Sequence, residues 1–256
     1  MKGIIETVRG EALLLFTALK REGFAYVLRE GLKYVFSWPV RIGTVFWLRM
    51  TRSKVKFTYA GREYSYLYHS YNSTWENDRA MEIPIAWDIV RQSKDKRVLE
   101  IGNVLKHYYD CHHDVVDLWE RYPGVINIDI LDFNPVQKYD LVISVSTFEH
   151  IGWDEKPRRP EKLLPAVDHV LQHVLAPGGK FIMTVPLGYN RALDRFLFNE
   201  NLPFTRIDCM RQVESRHNLW EMSPWESILQ NEFSANGEWL GKVKTNLICT
   251  ITAPHG

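Results

Sequence analysis

The chain has 256 residues, 45% of them hydrophobic, 25% charged and 13% aromatic, which is enough apolar material for a buried core and excludes a disordered, fibrous or disulfide-stapled protein. Its three cysteines, Cys111, Cys209 and Cys249, are odd in number and irregularly spaced, pointing to reduced thiols. The formal charge is only +1 but unevenly distributed: residues 1–54 carry ten Lys/Arg against four Asp/Glu, so a basic head precedes a mildly acidic body.

Residues 1–53 mix apolar and basic residues at helical spacing, broken at Gly23 and again at Ser37-Trp38-Pro39, which predicts two or three helices. The apolar runs Ala12 to Leu19 and Ile42 to Leu48 are interrupted by Lys20, Arg41 and Arg49, so no spanning helix is expected. The start lacks the pattern of a secretory signal, and the cytoplasm is the expected compartment. Two readings of the head stay open. It is a helical subdomain packed on the body, or a foot resting peripherally on the inner face of a membrane, because Trp38, Phe46, Trp47 and the neighbouring Arg/Lys are what an interfacial helix presents to anionic lipid.

Residues 54–91 read as a β-hairpin and a lead-in helix. Val55, Phe57 and Tyr59 alternate before Ala60-Gly61, and Tyr64, Tyr66 and Tyr68 after it. Asn72-Ser73-Thr74 offers a cap to a helix over Trp75 to Arg91, interrupted or kinked at Pro84. Arg79 and Glu82 on that helix either reach a ligand or belong to a solvated face. Residues 92–256 then alternate short apolar strands with helical stretches. Strands are expected at Val98 to Ile101, Asp114 to Val116, Val125 to Ile128, Leu141 to Val145 and Phe181 to Val185. A helix is expected over Pro160 to Leu175, a turn at Ala176-Pro177-Gly178-Gly179, and strand-like material from 204 to 253 ending in Asn246 to Thr252. This pattern predicts an α/β fold with a parallel sheet covered on both faces.

Ligands of such sheets bind off the carboxyl ends of the strands, where strand order reverses. The loop after the first strand reads Val98-Leu99-Glu100-Ile101-Gly102-Asn103-Val104-Leu105-Lys106-His107. An apolar strand running into Glu-Ile-Gly resembles the opening motif of class I S-adenosylmethionine-dependent methyltransferases, although Val104 and Lys106 stand where that motif usually carries its second and third glycines. Further blocks follow in matching order. Asp117 follows the second strand, Ile128-Asp129-Ile130-Leu131-Asp132-Phe133 follows the third, and Tyr139-Asp140 leads through the fourth strand and Ser146 to Glu149-His150. Leu175-Ala176-Pro177-Gly178-Gly179 enters the fifth. The resemblance covers residues 97 to 186. It implies a Rossmann-like methyltransferase fold with a mostly parallel seven-stranded sheet, preceded by the helical segment and hairpin, and S-adenosylmethionine as cofactor. It further implies a cofactor site of Glu100, Gly102, Asn103, Asp117, Asp129, Ile130 and Ser146, in which Asp117 accepts from both ribose hydroxyls and Asp129, with Asp132 second, takes the adenine amino group.

Methyl transfer is an in-line displacement that needs alignment, desolvation and, for some nucleophiles, a base. His150, then Glu149 and His107, are the candidate catalytic residues, since they sit on loops expected to face the cofactor and histidine titrates near neutrality. Tyr108, Trp153, Tyr189 and Asn190 are candidates to line the acceptor pocket. His107, Cys111, His112 and His113 fit no zinc spacing, so no metal is expected. The acceptor is a small molecule, saccharide or lipid-linked glycan, and no nucleic-acid partner is expected, because the body has no concentrated basic stripe. Two alternatives remain: a non-catalytic Rossmann-like binding or scaffold module with a degenerate cofactor loop, and a sugar-nucleotide-modifying enzyme, whose glycine-rich phosphate fingerprint is missing.

Overall fold

The computed structural model describes residues 24–199 and 203–254. It opens with a single helix, α1 (Phe24–Arg52), that runs through Pro39. The expected break at Ser37-Trp38-Pro39 is thus corrected: a proline removes one N–H from the ladder without having to end the helix. The head before residue 24, including the expected break at Gly23, lies outside the described residues. The carboxyl end of α1 is fastened to the body. Leu48 is buried, the Arg49 guanidinium donates to the Tyr68 carbonyl at 3.1 and 2.9 Å, and Arg52 donates to the His217 carbonyl at 2.8 Å.

The hairpin pairs β1 (Lys56–Tyr59) with β2 (Arg62–Ser65) across Ala60 and Gly61. Both turn residues have positive φ, the geometry that matches the twist of a two-residue hairpin. The lead-in helix, α2 (Arg79–Gln92), starts four residues later than expected. Asn72 and Ser73 adopt left-handed backbone inside a short 3-10 segment, Tyr71–Glu76, so the segment meant to cap the helix instead delays it.

The main sheet has the order β5-β4-β3-β6-β7-β10-β8-β9. Its parallel half comprises β3 (Val98–Ile101), β4 (Asp114–Val116), β5 (Val125–Ile126), β6 (Tyr139–Val145) and β7 (Leu175–Pro186). The expected turn at 176–179 is absorbed into β7 as an irregularity, because Tyr139 pairs with Leu175 and Leu141 with Lys180. The helical stretch before β7 divides into a 3-10 turn (Pro160–Lys162), α3 (Leu163–His169) and a π-helical turn (Val170–Val174). Beyond it come α4 (Arg191–Phe198), β8 (Arg206–Glu214), β9 (Leu219–Ser223), α5 (Trp225–Glu232) and β10 (Thr245–Thr252). β10 inserts antiparallel between β7 and β8, and β9 adds an antiparallel edge, making eight strands where seven were expected.

Alternation along the strands divides the core between two faces. Val142, Phe181, Met183 and Cys249 pack toward α3 and α4, while Ile143, Val145, Ile182 and Ile248 pack toward α2, the hairpin and Trp220. Each such fully buried side chain contributes about 1.5–3 kcal/mol. Both faces of the sheet are covered, as the near-continuous apolar strands require.

One buried group works against the fold. Asp194 on α4 is 2% exposed, accepts from the Gly188 N–H at 3.2 Å and, among the described residues, has no partner for Oδ2. Burial pushes its carboxyl from 3.8 up to about 6. Between those values the unfolded chain has lost the proton and the folded chain still binds it, so stability falls as pH rises through this window and is level above it. Asp194→Asn is expected to stabilise the protein at pH 7 by up to about 3 kcal/mol and to change little at pH 4. Urea denaturation at the two pH values checks this, and an equal effect at both would refute it.

Candidate cofactor and acceptor site

Strand order reverses between β3 and β6, and the crevice at their carboxyl ends is where an α/β sheet binds ligands. Glu100, fully buried, shapes the loop there. Its Oε1 accepts from the Val104 and Leu105 N–H groups at 2.9 and 2.7 Å, and its Oε2 lies 2.8 Å from His113 Nε2. Gly102 has φ +87° and passes directly beneath Thr147, leaving no room for a Cβ.

Asp117 is tied into its surroundings. One carboxylate oxygen accepts from the Trp119 and Glu120 N–H groups at 2.8 and 2.7 Å, the other from the Asn103 N–H at 3.0 Å. A carboxylate has about four lone-pair sites, so Asp117 keeps one, enough for one hydroxyl rather than two. Asn103 reaches Glu120 through Nδ2 at 2.7 Å, and its buried Oδ1 has no partner among the described residues. His107 pairs with the same Glu120 at 2.8 Å and stacks on Tyr71 with ring centroids 4.2 Å apart.

After β5, Asp129 accepts from the Leu131 N–H at 3.1 Å and caps the short turn Ile130–Asp132. Its other oxygen meets Lys162, a lysine only 7% exposed, which also reaches Glu155 at 2.5 Å. Burial disfavours the Lys162 ammonium, but the bonds to Asp129 and Glu155 outweigh it and hold its pKa above the ordinary lysine value. Burial likewise opposes the charge of Glu155, and Lys162 with Arg159 reverses the balance and holds that carboxyl low.

Gly102, Asp117, Asp129, Ile130 and His150 line one narrow cavity of about 90 Å³, together with Leu118, Thr147 and Lys162. Glu100, Asn103, Ser146, Glu149 and His107 are not among its walls. Ser146 instead donates to Glu82 at 2.7 Å on the α2 side. His150 holds Asp154 at 2.6 Å through Nδ1, stands edge-on to Tyr189 and has Nε2 3.7 Å from Glu149. Glu149 is buried, and burial raises its carboxyl well above the usual range. Arg79 and Glu82 do not form a solvated face: Glu82 is fully buried and the two ion-pair at 3.2 Å. Lys162 and Thr147 are site residues that sequence reasoning missed, since Pro160-Glu161-Lys162 carries only a helix-start signal and Thr147 sits within an ordinary strand end.

These residues fit S-adenosylmethionine in kind. Gly102 lets backbone come close, Asp117 and Asn103 keep acceptors unused, and Leu118 and Ile130 give apolar walls. In volume the cavity is below the roughly 300–1,000 Å³ of ligand pockets, with the Thr147 side chain over Gly102 and the Lys162 ammonium on Asp129 taking up part of the crevice.

No protein-family model matches this chain, and no curated protein does. Solved structures do. The N-methyltransferase NodS from Bradyrhizobium japonicum WM9 is 15% identical, with 68% of this chain and 97% of that chain covered at a TM-score of 0.37. The 1,6-didemethyltoxoflavin-N1-methyltransferase of Burkholderia thailandensis is 13% identical over 73% and 84%, TM-score 0.41. The [4+2]-cyclase SpnF is 16% identical over 71% and 86%, TM-score 0.40. At such identities and TM-scores the site has to be read from the chain's own geometry.

Proposed function

We propose that this chain is an S-adenosylmethionine-dependent methyltransferase acting on a small-molecule, saccharide or lipid-linked glycan acceptor. The observation that carries this is the convergence, in the crevice where strand order reverses, of the left-handed Gly102 backbone with Asp117, Asp129 and Ile130. The bound cofactor would supply an electrophilic methyl on sulfur. Gly102 and Asn103 would receive its amino-acid end, Asp117 one ribose hydroxyl, and Asp129 with Ile130 the adenine. His150, oriented by Asp154, is the base nearest the crevice. Titration calorimetry with S-adenosylmethionine and S-adenosylhomocysteine tests the reading without an acceptor, and micromolar binding of both is expected. Asp117→Ala should weaken that binding at least tenfold, and unchanged affinity would remove Asp117 from the site.

A second reading, a binding or scaffold module, is favoured by the Thr147 side chain over Gly102 and the Lys162 ammonium on Asp129. Absence of binding at millimolar ligand would put it first.

The enzyme would work at an anionic membrane surface. Val40, Ile42, Phe46, Trp47 and Met50 are exposed along α1, with Ile42, Phe46 and Met50 four apart and Val40 and Trp47 seven apart, and no Asp or Glu occurs between Glu30 and Glu63, while Arg41, Arg49, Arg52, Lys54 and Lys56 do. Among the described residues no helix is long and apolar enough to cross a membrane. Vesicles containing phosphatidylserine should co-sediment the protein, and Trp47→Glu should cut the bound fraction at least tenfold. Equal sedimentation of the variant would remove α1 from the contact.

A further inference from the structure

On the α2 side of the same strand ends lies a buried polar assembly that cofactor binding does not use. Glu82 Oε2 accepts from Ser146 Oγ at 2.7 Å, Thr184 Oγ1 at 2.6 Å and Asn246 Nδ2 at 3.2 Å, and Asn246 Nδ2 also donates to Asp78 at 2.9 Å. Arg79 ion-pairs with Glu82 and donates to the Val145 carbonyl at 3.1 Å, at the end of β6. Asp78, Glu149 and the Tyr108 hydroxyl all lie within electrostatic reach of Arg79. Three carboxyl groups therefore surround one guanidinium.

The hydrogen-bond account of this assembly does not close. Among the described residues Glu149 Oε2, Asn246 Oδ1 and Tyr108 OH are buried without a partner, and Glu149 and Asn246 are 1% and 0% exposed. Leaving such a group unsatisfied costs about 1–3 kcal/mol, and three in one place call for an explanation. Asn246 Oδ1 is a pure acceptor, and Glu149 Oε2 becomes one when a cation beside it offsets the burial that holds its carboxyl protonated. An ammonium supplies three donors and no acceptor, a hydroxyl only one donor, and an anionic group would be repelled. Beside the carboxyl groups stands an aromatic wall: Tyr108 is edge-on to His69 at 5.2 Å and to Tyr71 at 5.6 Å. Burial lowers the His69 imidazole to about 4, so this wall is uncharged at neutral pH and suits a cation.

Resting on the methyltransferase reading, we infer that the acceptor is an amine, bound as its ammonium with N–H groups on Glu149 Oε2 and Asn246 Oδ1 and its carbon frame against Tyr108 and Tyr71. An ammonium has no free electron pair, so one proton first passes to Glu149 Oε2. The nitrogen lone pair then forms the new N–C bond as the sulfur–methyl bond of the donor breaks, its electron pair remaining on sulfur. Glu149 then turns its carboxyl to hand the proton to His150, whose Nε2, 3.7 Å from Glu149 Oε1, must close to hydrogen-bond reach before it releases the proton to solvent.

The test is calorimetric binding of two matched pairs, benzylamine against benzyl alcohol and glucosamine against glucose, with S-adenosylhomocysteine titrated separately into the same full-length protein. At least one amine should bind ten or more times tighter than its hydroxyl partner. Glu149→Gln, which keeps the shape but accepts no proton, should lose that preference at least tenfold, as should Tyr108→Phe in part, with thermal melting reporting that each variant is folded. Binding of S-adenosylhomocysteine with no amine preference would overturn the amine inference and leave the cofactor reading standing. Amine preference without cofactor binding would overturn the methyltransferase reading, and the acceptor role with it, while the ammonium site would stand. Failure of both ligands would overturn both.

Discussion

Gly102→Ala is expected to destabilise the protein by about 3 kcal/mol and, on the proposed function, to abolish binding of S-adenosylmethionine. Two costs combine. A Cβ at φ +87° carries the left-handed penalty of about 1–2 kcal/mol, and the added carbon overlaps the Oγ1, Cγ2 and Cβ atoms of Thr147, adding the overpacking cost of about 1–3 kcal/mol. The double variant Gly102→Ala/Thr147→Gly separates them, because it removes the three atoms nearest the new methyl and leaves chiefly the backbone penalty. Urea denaturation should show the double variant recovering more than half of the lost stability relative to Thr147→Gly alone. No recovery would mean that the strain lies wholly in the backbone. Thr147→Gly also bears on function: it opens the cavity beside Gly102, so cofactor affinity that rises or holds would mark Thr147 as a movable cover.

The same loop shows how far sequence carried the reading. Strands β3 and β4 fall where the apolar runs placed them, and Gly102, singled out by the resemblance of Glu100-Ile101-Gly102 to a methyltransferase opening motif, has the left-handed backbone that favours glycine. Local pattern was weaker where a residue's partner is distant in sequence. Glu100 reads as a cofactor ligand by position, yet its carboxylate is engaged by Val104, Leu105 and His113, and Ser146 turns toward Glu82, 64 positions earlier. Arg79 and Glu82 looked like half a solvated face because a charged pair three residues apart on a helix commonly is one. Their burial is set by β6, β7 and β10, whose polar ends Ser146, Thr184 and Asn246 no helical periodicity could connect to α2. Pro39 misled in the opposite direction, since its effect on a helix depends on neighbours that the local sequence does not specify. The antiparallel placement of β10 between β7 and β8 is similarly a property of the whole sheet.

Lys162→Met should be the most damaging charge substitution at the crevice, with opposite effects on stability and on ligand access. The lysine is 7% exposed and bridges Asp129 and Glu155, whose side chains are 21% and 11% exposed. Removing it leaves Asp129 without its cation and Glu155 with Arg159 alone, and breaking a largely buried pair in this way costs up to about 3–5 kcal/mol. The pH dependence gives the mechanism away. In the native protein Glu155 is held low by Lys162, so its contribution is present above the ordinary glutamate range and disappears as pH falls through the depressed folded value. The raised Lys162 contributes below the ordinary lysine value and loses that contribution only as pH rises through its folded value, above the neutral range. The variant's deficit should therefore be full at pH 7 and shrink on acidification, as the stranded carboxylates take up protons. A deficit independent of pH would instead assign the loss to packing of the lysine stem. On the proposed function, Asp129 would at the same time be released to accept from an adenine amino group, so the surviving folded fraction should bind S-adenosylhomocysteine at least as tightly as the parent protein. Weaker binding, measured under conditions where the variant is fully folded, would show that the ammonium helps to hold the ligand and that Asp129 is a structural partner of Lys162.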